Sequence, residues 1–282
     1  MPLLLAAFAS VTFGVADFVG GFASRRVAAV TVVAGSQLVA LVAIVAAAPL
    51  FSDGAPPASD LAWGFGAGMA GAVALAVFYH ALATTRIGVA APVAAVVSTL
   101  APVLFGIITG ERPAPLAWVG MLLALPAVLL LPASGREHVD DPSGTRGQRA
   151  AYLGAIAGLG FGMFGILISR TASESGMWPL AGARIGSLAL MAILVPLVKV
   201  RFLPDRAAWP TVAAAGILDM SANMLFLIAV RQELLSLVAV IMSFYPVSTM
   251  LLARIVFGER TVRRQLAGLA LAAVAVTLIA LG

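Results

Sequence analysis

Four ionisable side chains interrupt otherwise apolar stretches of this chain: Asp17, His80, Arg184 and Asp219. At the centre of a membrane span such a group costs about 2.5–3.5 kcal/mol unless it is paired or faces water, so each is a candidate for function. Asp219 and Asn223 are four residues apart and share one helix face. Arg184 lies on the preceding apolar stretch and is in reach of Asp219. Two readings are open for this pair. Either the carboxylate and guanidinium meet the opposite charges of a zwitterionic solute, or they bind each other and lock two helices. Asp17 is a candidate carrier of a coupling proton, because a carboxyl in apolar surroundings holds its proton more readily than one in water. The alternative is a capped carboxylate near the end of its stretch. His80 follows Tyr79 close to a loop, as a proton relay or solute contact, or as part of an interfacial aromatic cluster. Gln37 and Tyr245 are candidate hydrogen-bonding groups on a cavity wall. Pro92, Pro102 and Pro246 interrupt helix hydrogen bonding and are candidate hinges or packing kinks.

Other chemistries lack their residues. Cysteine is absent, which excludes disulfides, iron–sulfur ligation and a thiol nucleophile. The two histidines, His80 and His138, have no partners at metal-ligand spacing, so no metal, no cofactor and no catalytic cluster is expected. Gly66-Ala67-Gly68-Met69-Ala70-Gly71 matches a dinucleotide fingerprint, but that motif requires a strand before it and a helix N-terminus after it. Here it lies inside an apolar run and reads as close helix packing. The net charge of +5 and pI near 10.7 do not indicate nucleic acid. The basic residues sit in short loops beside apolar runs, where topology signals are found.

The elements that position these groups follow from composition. Of 282 residues, 62% are hydrophobic and 10% charged, with mean hydropathy +1.07. A soluble domain carries about 25% charged residues. A bilayer span needs about 20 apolar residues, and runs of that kind occur near 3–24, 29–51, 61–83, 88–109, 115–132, 150–170, 177–198, 208–230, 234–256 and 264–281. The expected fold is therefore an all-α integral membrane protein of ten transmembrane helices, with its first span retained. Trp63, Trp118, Trp178 and Trp209 stand near span starts, as interfacial anchors do.

One offset of 148 residues relates the two halves without a gap. It places Phe13-Gly14 on Phe161-Gly162, Gly110-Glu111-Arg112 on Gly258-Glu259-Arg260, and Gly120 on Gly268. Ser10 and Gly14 fall on Gly158 and Gly162, a spacing of small residues that lets helices approach closely. The expected organisation is a five-helix repeat over 1–133, a central loop over 134–149 and a second repeat over 150–282. An odd number of spans per half makes the repeats inverted, the arrangement of carriers whose site lies between the halves. The loops after spans 1, 3, 5, 7 and 9 hold twelve of the seventeen basic residues; the others hold Arg112, Arg170 and Arg231. The positive-inside rule then places both termini outside.

Ala91-Pro92-Val93, Ala101-Pro102-Val103 and Gly110-Glu111-Arg112 in the first half, with Tyr245-Pro246-Val247 and Gly258-Glu259-Arg260 in the second, make the chain resemble the EamA-type branch of the drug/metabolite transporter superfamily. The resemblance covers essentially the whole chain. It implies a secondary transporter of small polar metabolites, often an exporter of amino acids or related compounds across the cell membrane, acting as monomer or homodimer. It also implies cytoplasmic termini, against the loop charge. The competing classes are a membrane enzyme on lipid-linked substrates, for which no acidic or histidine cluster is present, and a scramblase or scaffold without solute flux. The expected partners are a small-molecule substrate, a coupling proton and the lipid bilayer.

Overall fold

A computed structural model describes residues 1–51, 54, 56–85, 87–130, 145–257 and 263–281. Its helices are α1 (Pro2–Ala23), α2 (Ala29–Ala47), α3 (Ala58–Thr84), α4 (Ile87–Ile108), α5 (Pro115–Leu130), α6 (Thr145–Ser169), α7 (Trp178–Leu197), α8 (Trp209–Val230), α9 (Leu235–Met242), α10 (Tyr245–Phe257) and α11 (Arg263–Leu281). Prolines open α1, α7 and α8 at their first turns, where the missing N–H has no intrahelical partner to lose. Among the described residues, seven helices are long and apolar enough to cross a membrane, and three shorter apolar helices accompany them. Within a bilayer every backbone polar group must be satisfied internally, which a helix does by itself. The chain is thus a multi-pass, all-helical membrane protein. Most of the central loop expected over 134–149, with His138, lies outside the described residues, as do Asp53, Arg86, Glu259 and Arg260.

Small residues face inward and large ones outward. In α1 the buried positions are Ala6, Ala9, Ser10, Gly14, Ala16, Asp17, Gly20, Gly21 and Ala23, while Leu4 and Phe8 are more than half exposed. A soluble helix does the reverse. Lipid is as apolar as leucine, so helices associate through close backbone contact, which small residues permit. The glycines of the false dinucleotide motif follow this logic in part. A Cβ on Gly68 would stand 1.7 Å from the Ala183 carbonyl oxygen of α7, and one on Gly186 would stand 2.1 Å from the Phe65 carbonyl of α3.

Helix pairs come in matched sets when the halves are exchanged. α3 packs on α7 and α8 on α2; α4 packs on α6, and α9 with α10 on α1; α1 packs on α8 and α6 on α3; α5 packs on α11. Individual contacts follow the same offset. Gly216, the counterpart of Gly68, lies against the Ser36 carbonyl, one residue beyond the counterpart of Ala183. The Ser10 hydroxyl donates to the Met242 carbonyl, and Gly158, its counterpart, lies against the carbonyl of Ala94, the counterpart of Met242.

The run expected as one helix over 234–256 is two. α9 ends at Met242 and α10 begins at Tyr245. Pro246 has no N–H for the carbonyl at 242, and its ring excludes that carbonyl from the helical position. The intervening amides of Ser243 and Phe244 fold back on Val240 and Ile241 instead. Pro92 and Pro102 produce no such break, because α4 runs continuously through both.

Candidate functional site

A cavity of about 120 Å³ lies where α1, α2, α3 and α4 of the first half meet α6, α7, α8 and the α9–α10 break of the second. Its polar wall is a linked cluster. Asp219 Oδ1 accepts from the Asn223 amide at 3.2 Å, one helical turn away on α8. That contact turns Oδ2 toward α7, where it pairs with Arg184 Nη1 at 3.1 Å. The same Nη1 donates to Gln37 Oε1 on α2, and the Gln37 side chain also reaches Asp219. Three helices from both halves therefore meet at one guanidinium nitrogen. Arg184, Asp219, Asn223 and Gln37 are all buried.

The other edge of the guanidinium is unused. Among the described residues, Arg184 Nε and Nη2 are buried and have no hydrogen-bond partner. These two nitrogens form one side of the fork that grips a carboxylate in parallel. Asp17 also lines the cavity, close enough to Asp219 for their charges to interact. No protein donor reaches its carboxyl among the described residues. The cavity thus holds two carboxylates against one guanidinium, with hydrogen-bonding capacity left over on both signs.

The rest of the wall is apolar. Phe13, Phe161, Phe164 and Phe226 line it with Leu75 and Met242, and Ser98 and Ser187 add hydroxyls. Phe13 and Phe161 are the residues that the 148-residue offset superposes. Two lining glycines are equally informative. Gly165 is the counterpart of Asp17, and Gly71 is the counterpart of Asp219. Each acid of one half faces a cavity whose matching position in the other half carries no side chain.

The remaining candidates separate. Tyr245 lines the cavity, and its hydroxyl donates to the Ala91 carbonyl at 3.4 Å. Pro102 lines it too, whereas Pro92 and Pro246 do not. Tyr79 is buried and does not line the cavity; its ring and hydroxyl pack over Gly20 of α1, one turn from Asp17 and close enough to Asp17 and Asp219 for their charges to reach it. His80 is exposed and does not line the cavity. Residues missed by sequence reasoning are the phenylalanines, Ser98, Ser187 and Met242. Among so many apolar residues, nothing marks which ones face inward; only the offset match at Phe13 and Phe161 gave a signal. No group of three or more histidine or acidic residues able to hold a metal occurs among the described residues.

One solved crystal structure is similar over 98% of this chain and 96% of its own, at 19% identity and a TM-score of 0.74, which establishes likeness of fold alone. No curated protein matches the sequence. The model of the EamA-like transporter family matches residues 1–132 and again residues 148–281. With an all-helical membrane fold and matches across nearly the whole chain, the protein belongs to the EamA-like transporter family of the drug/metabolite transporter superfamily.

Proposed function

We propose that this protein is a secondary transporter of small zwitterionic metabolites, amino acids or related compounds. In this reading it exports them across the cell membrane by alternating access of two inverted five-span halves. The observation that carries it is the unpaired Nε–Nη2 edge of Arg184 in a cavity also lined by Asp17. A substrate carboxylate would accept both N–H groups of that edge. Its ammonium would meet Asp17, and its apolar part would lie among the phenylalanine rings. Asp17 also remains the candidate for proton coupling.

Purified protein in proteoliposomes should catalyse counterflow of an amino acid that saturates with concentration. Absence of saturable flux for every amino acid tested, with lipid movement in its place, would favour a scramblase. Hydrogen bonds to charged groups are worth about 1.5–3 kcal/mol, so Asp17→Asn should raise the half-saturating concentration by about tenfold or more. A Cβ at Gly165 meets nothing closer than Phe226 at 3.5 Å. Gly165→Ala should therefore fold normally and transport bulky substrates less well than small ones.

The distribution of basic residues supports termini on the outer face. An impermeant label should reach a C-terminal tag from outside intact cells; labelling confined to inverted vesicles would reverse the topology.

A further inference from the structure

Away from the cavity, three charged side chains form a polar belt, and two of them, Asp60 and Glu111, bridge the halves. Asp60, in the first turn of α3, accepts from the Ala172 amide at 2.9 Å and from the Ser175 hydroxyl, both in the segment before α7. Arg231, at the end of α8, holds that same segment by donating to the carbonyls of Gly176 at 2.6 Å and Ala172 at 2.8 Å. Four residues further on, α9 begins, and Glu111 reaches it from the first half. Its two carboxylate oxygens accept from the Leu235 amide at 2.9 Å and the Ser236 amide at 3.0 Å.

Glu111 is placed there by the end of α4. Gly110 has φ +102°, a conformation that side chains disfavour. The Glu111 amide bonds back to the Gly106 carbonyl at 2.8 Å, which closes the helix in a Schellman turn. Gly106 has no Cβ, and one there would stand 2.4 Å from Glu111 Oε2. The carboxylate thus folds over its own helix end and caps the free amides of another, where the helix dipole favours negative charge.

The belt lies toward one end of the cavity. Phe226 precedes Arg231 by five residues, and Ala239 follows Ser236 by three. At about 1.5 Å per residue, Arg231 and Ser236 lie roughly 5–8 Å beyond these lining residues, and Asp60, on α3, lies about 16 Å beyond Gly71. We propose that Asp60 and Glu111, with Arg231 bracing the segment Asp60 grips, form a latch that holds the two halves shut on this face and must release for the cavity to open there. This rests on the carrier reading and adds which groups hold the closed state. All four bonds to Asp60 and Glu111 join a side chain of the first half to the second half, three of them to backbone amides and one to the Ser175 hydroxyl, so separation of the halves must break them.

The chain lacks cysteine, so single introduced cysteines report cleanly. Ser98→Cys places a near-isosteric thiol on the cavity wall, and Ser173→Cys, in a parallel sample, marks the latch face because Ser173 is exposed there. An impermeant maleimide added from the latch face should modify the Ser98→Cys thiol slowly. In Asp60→Asn/Glu111→Gln the rate should rise about tenfold, and the rate from the opposite face should fall, because two states exchange population. Ala172→Pro gives a second route. Ala172 has φ −69°, which proline adopts, and the substitution removes the amide that Asp60 accepts while leaving every carboxylate in place. It should raise latch-face labelling in the same direction. Unchanged or slower labelling in both variants, with unaltered melting temperatures, overturns the latch. If counterflow persists in that case, the carrier reading survives without it. If no variant and no parent shows counterflow, the carrier reading fails whatever the labelling.

Discussion

Arg184→Met should abolish transport and lower stability by about 3–5 kcal/mol, the usual cost of removing one partner of a buried ion pair. Asp219 would be left inside the bundle without its cation, with the Gln37 and Asn223 side chains as hydrogen-bond partners and the Asp17 carboxyl nearby. The informative experiment adds Asp219→Asn to that variant. With both charges gone, no unpaired ion remains at this pair, and stability should return most of the way to that of the parent. Replacing a whole buried pair is often neutral, and residues in contact are strongly non-additive. Transport should not return, because the Nε–Nη2 edge is lost with the guanidinium. The two readings open at Arg184 and Asp219 then divide. A helix lock predicts that the double variant regains both stability and transport; a solute site predicts recovery of stability alone. Thermal melting of purified protein and counterflow in proteoliposomes measure the two quantities separately.

Gly68→Ala should cost about 3 kcal/mol or more, at or beyond the upper end for overpacking a helix contact. The added methyl would meet the Ala183 carbonyl oxygen at 1.7 Å. That oxygen belongs to backbone, so no rotamer change relieves the clash and α3 must move away from α7. The displacement would pass directly to Arg184, the next residue on α7, and so loss of transport should accompany loss of stability. Gly66→Ala, two residues away, is the control. Its added methyl meets only Leu167 Cδ1 at 3.7 Å, an ordinary contact. Replacing a mid-helix glycine by alanine gains about 0.5–1 kcal/mol in backbone entropy, so this variant should be as stable as the parent or slightly more so. Equal melting temperatures for the two variants would show that the α3–α7 contact is looser than its geometry indicates.

The sequence by itself determined that the chain is helical and membrane-embedded, since runs of apolar residues of bilayer length leave few other folds. It also determined the internal offset, because Phe13, Gly110 and Gly120 each have a counterpart 148 residues on. Among the polar groups, Asp17, Gln37, Arg184, Asp219, Asn223 and Tyr245 were legible as candidates, because an ionisable or polar residue stands out against an apolar background. Which of them converge was decided by tertiary structure. Tyr79 and His80 are adjacent in sequence, yet one is buried beneath α1 and the other exposed, because successive helical residues point about 100° apart. The phenylalanines of the wall were invisible for the opposite reason. In lipid, large apolar residues belong on the outside as readily as in a cavity, so hydrophobic periodicity carries no inward direction. Glu111 shows the limit most clearly. In the sequence it is one member of a repeated Gly-Glu-Arg motif, whereas the structure sends its carboxylate to amides at Leu235 and Ser236. A carboxylate's partner there is the free N–H end of a helix, where α9 starts after the turn that follows α8, and Glu111 meets it only because the two halves fold against each other.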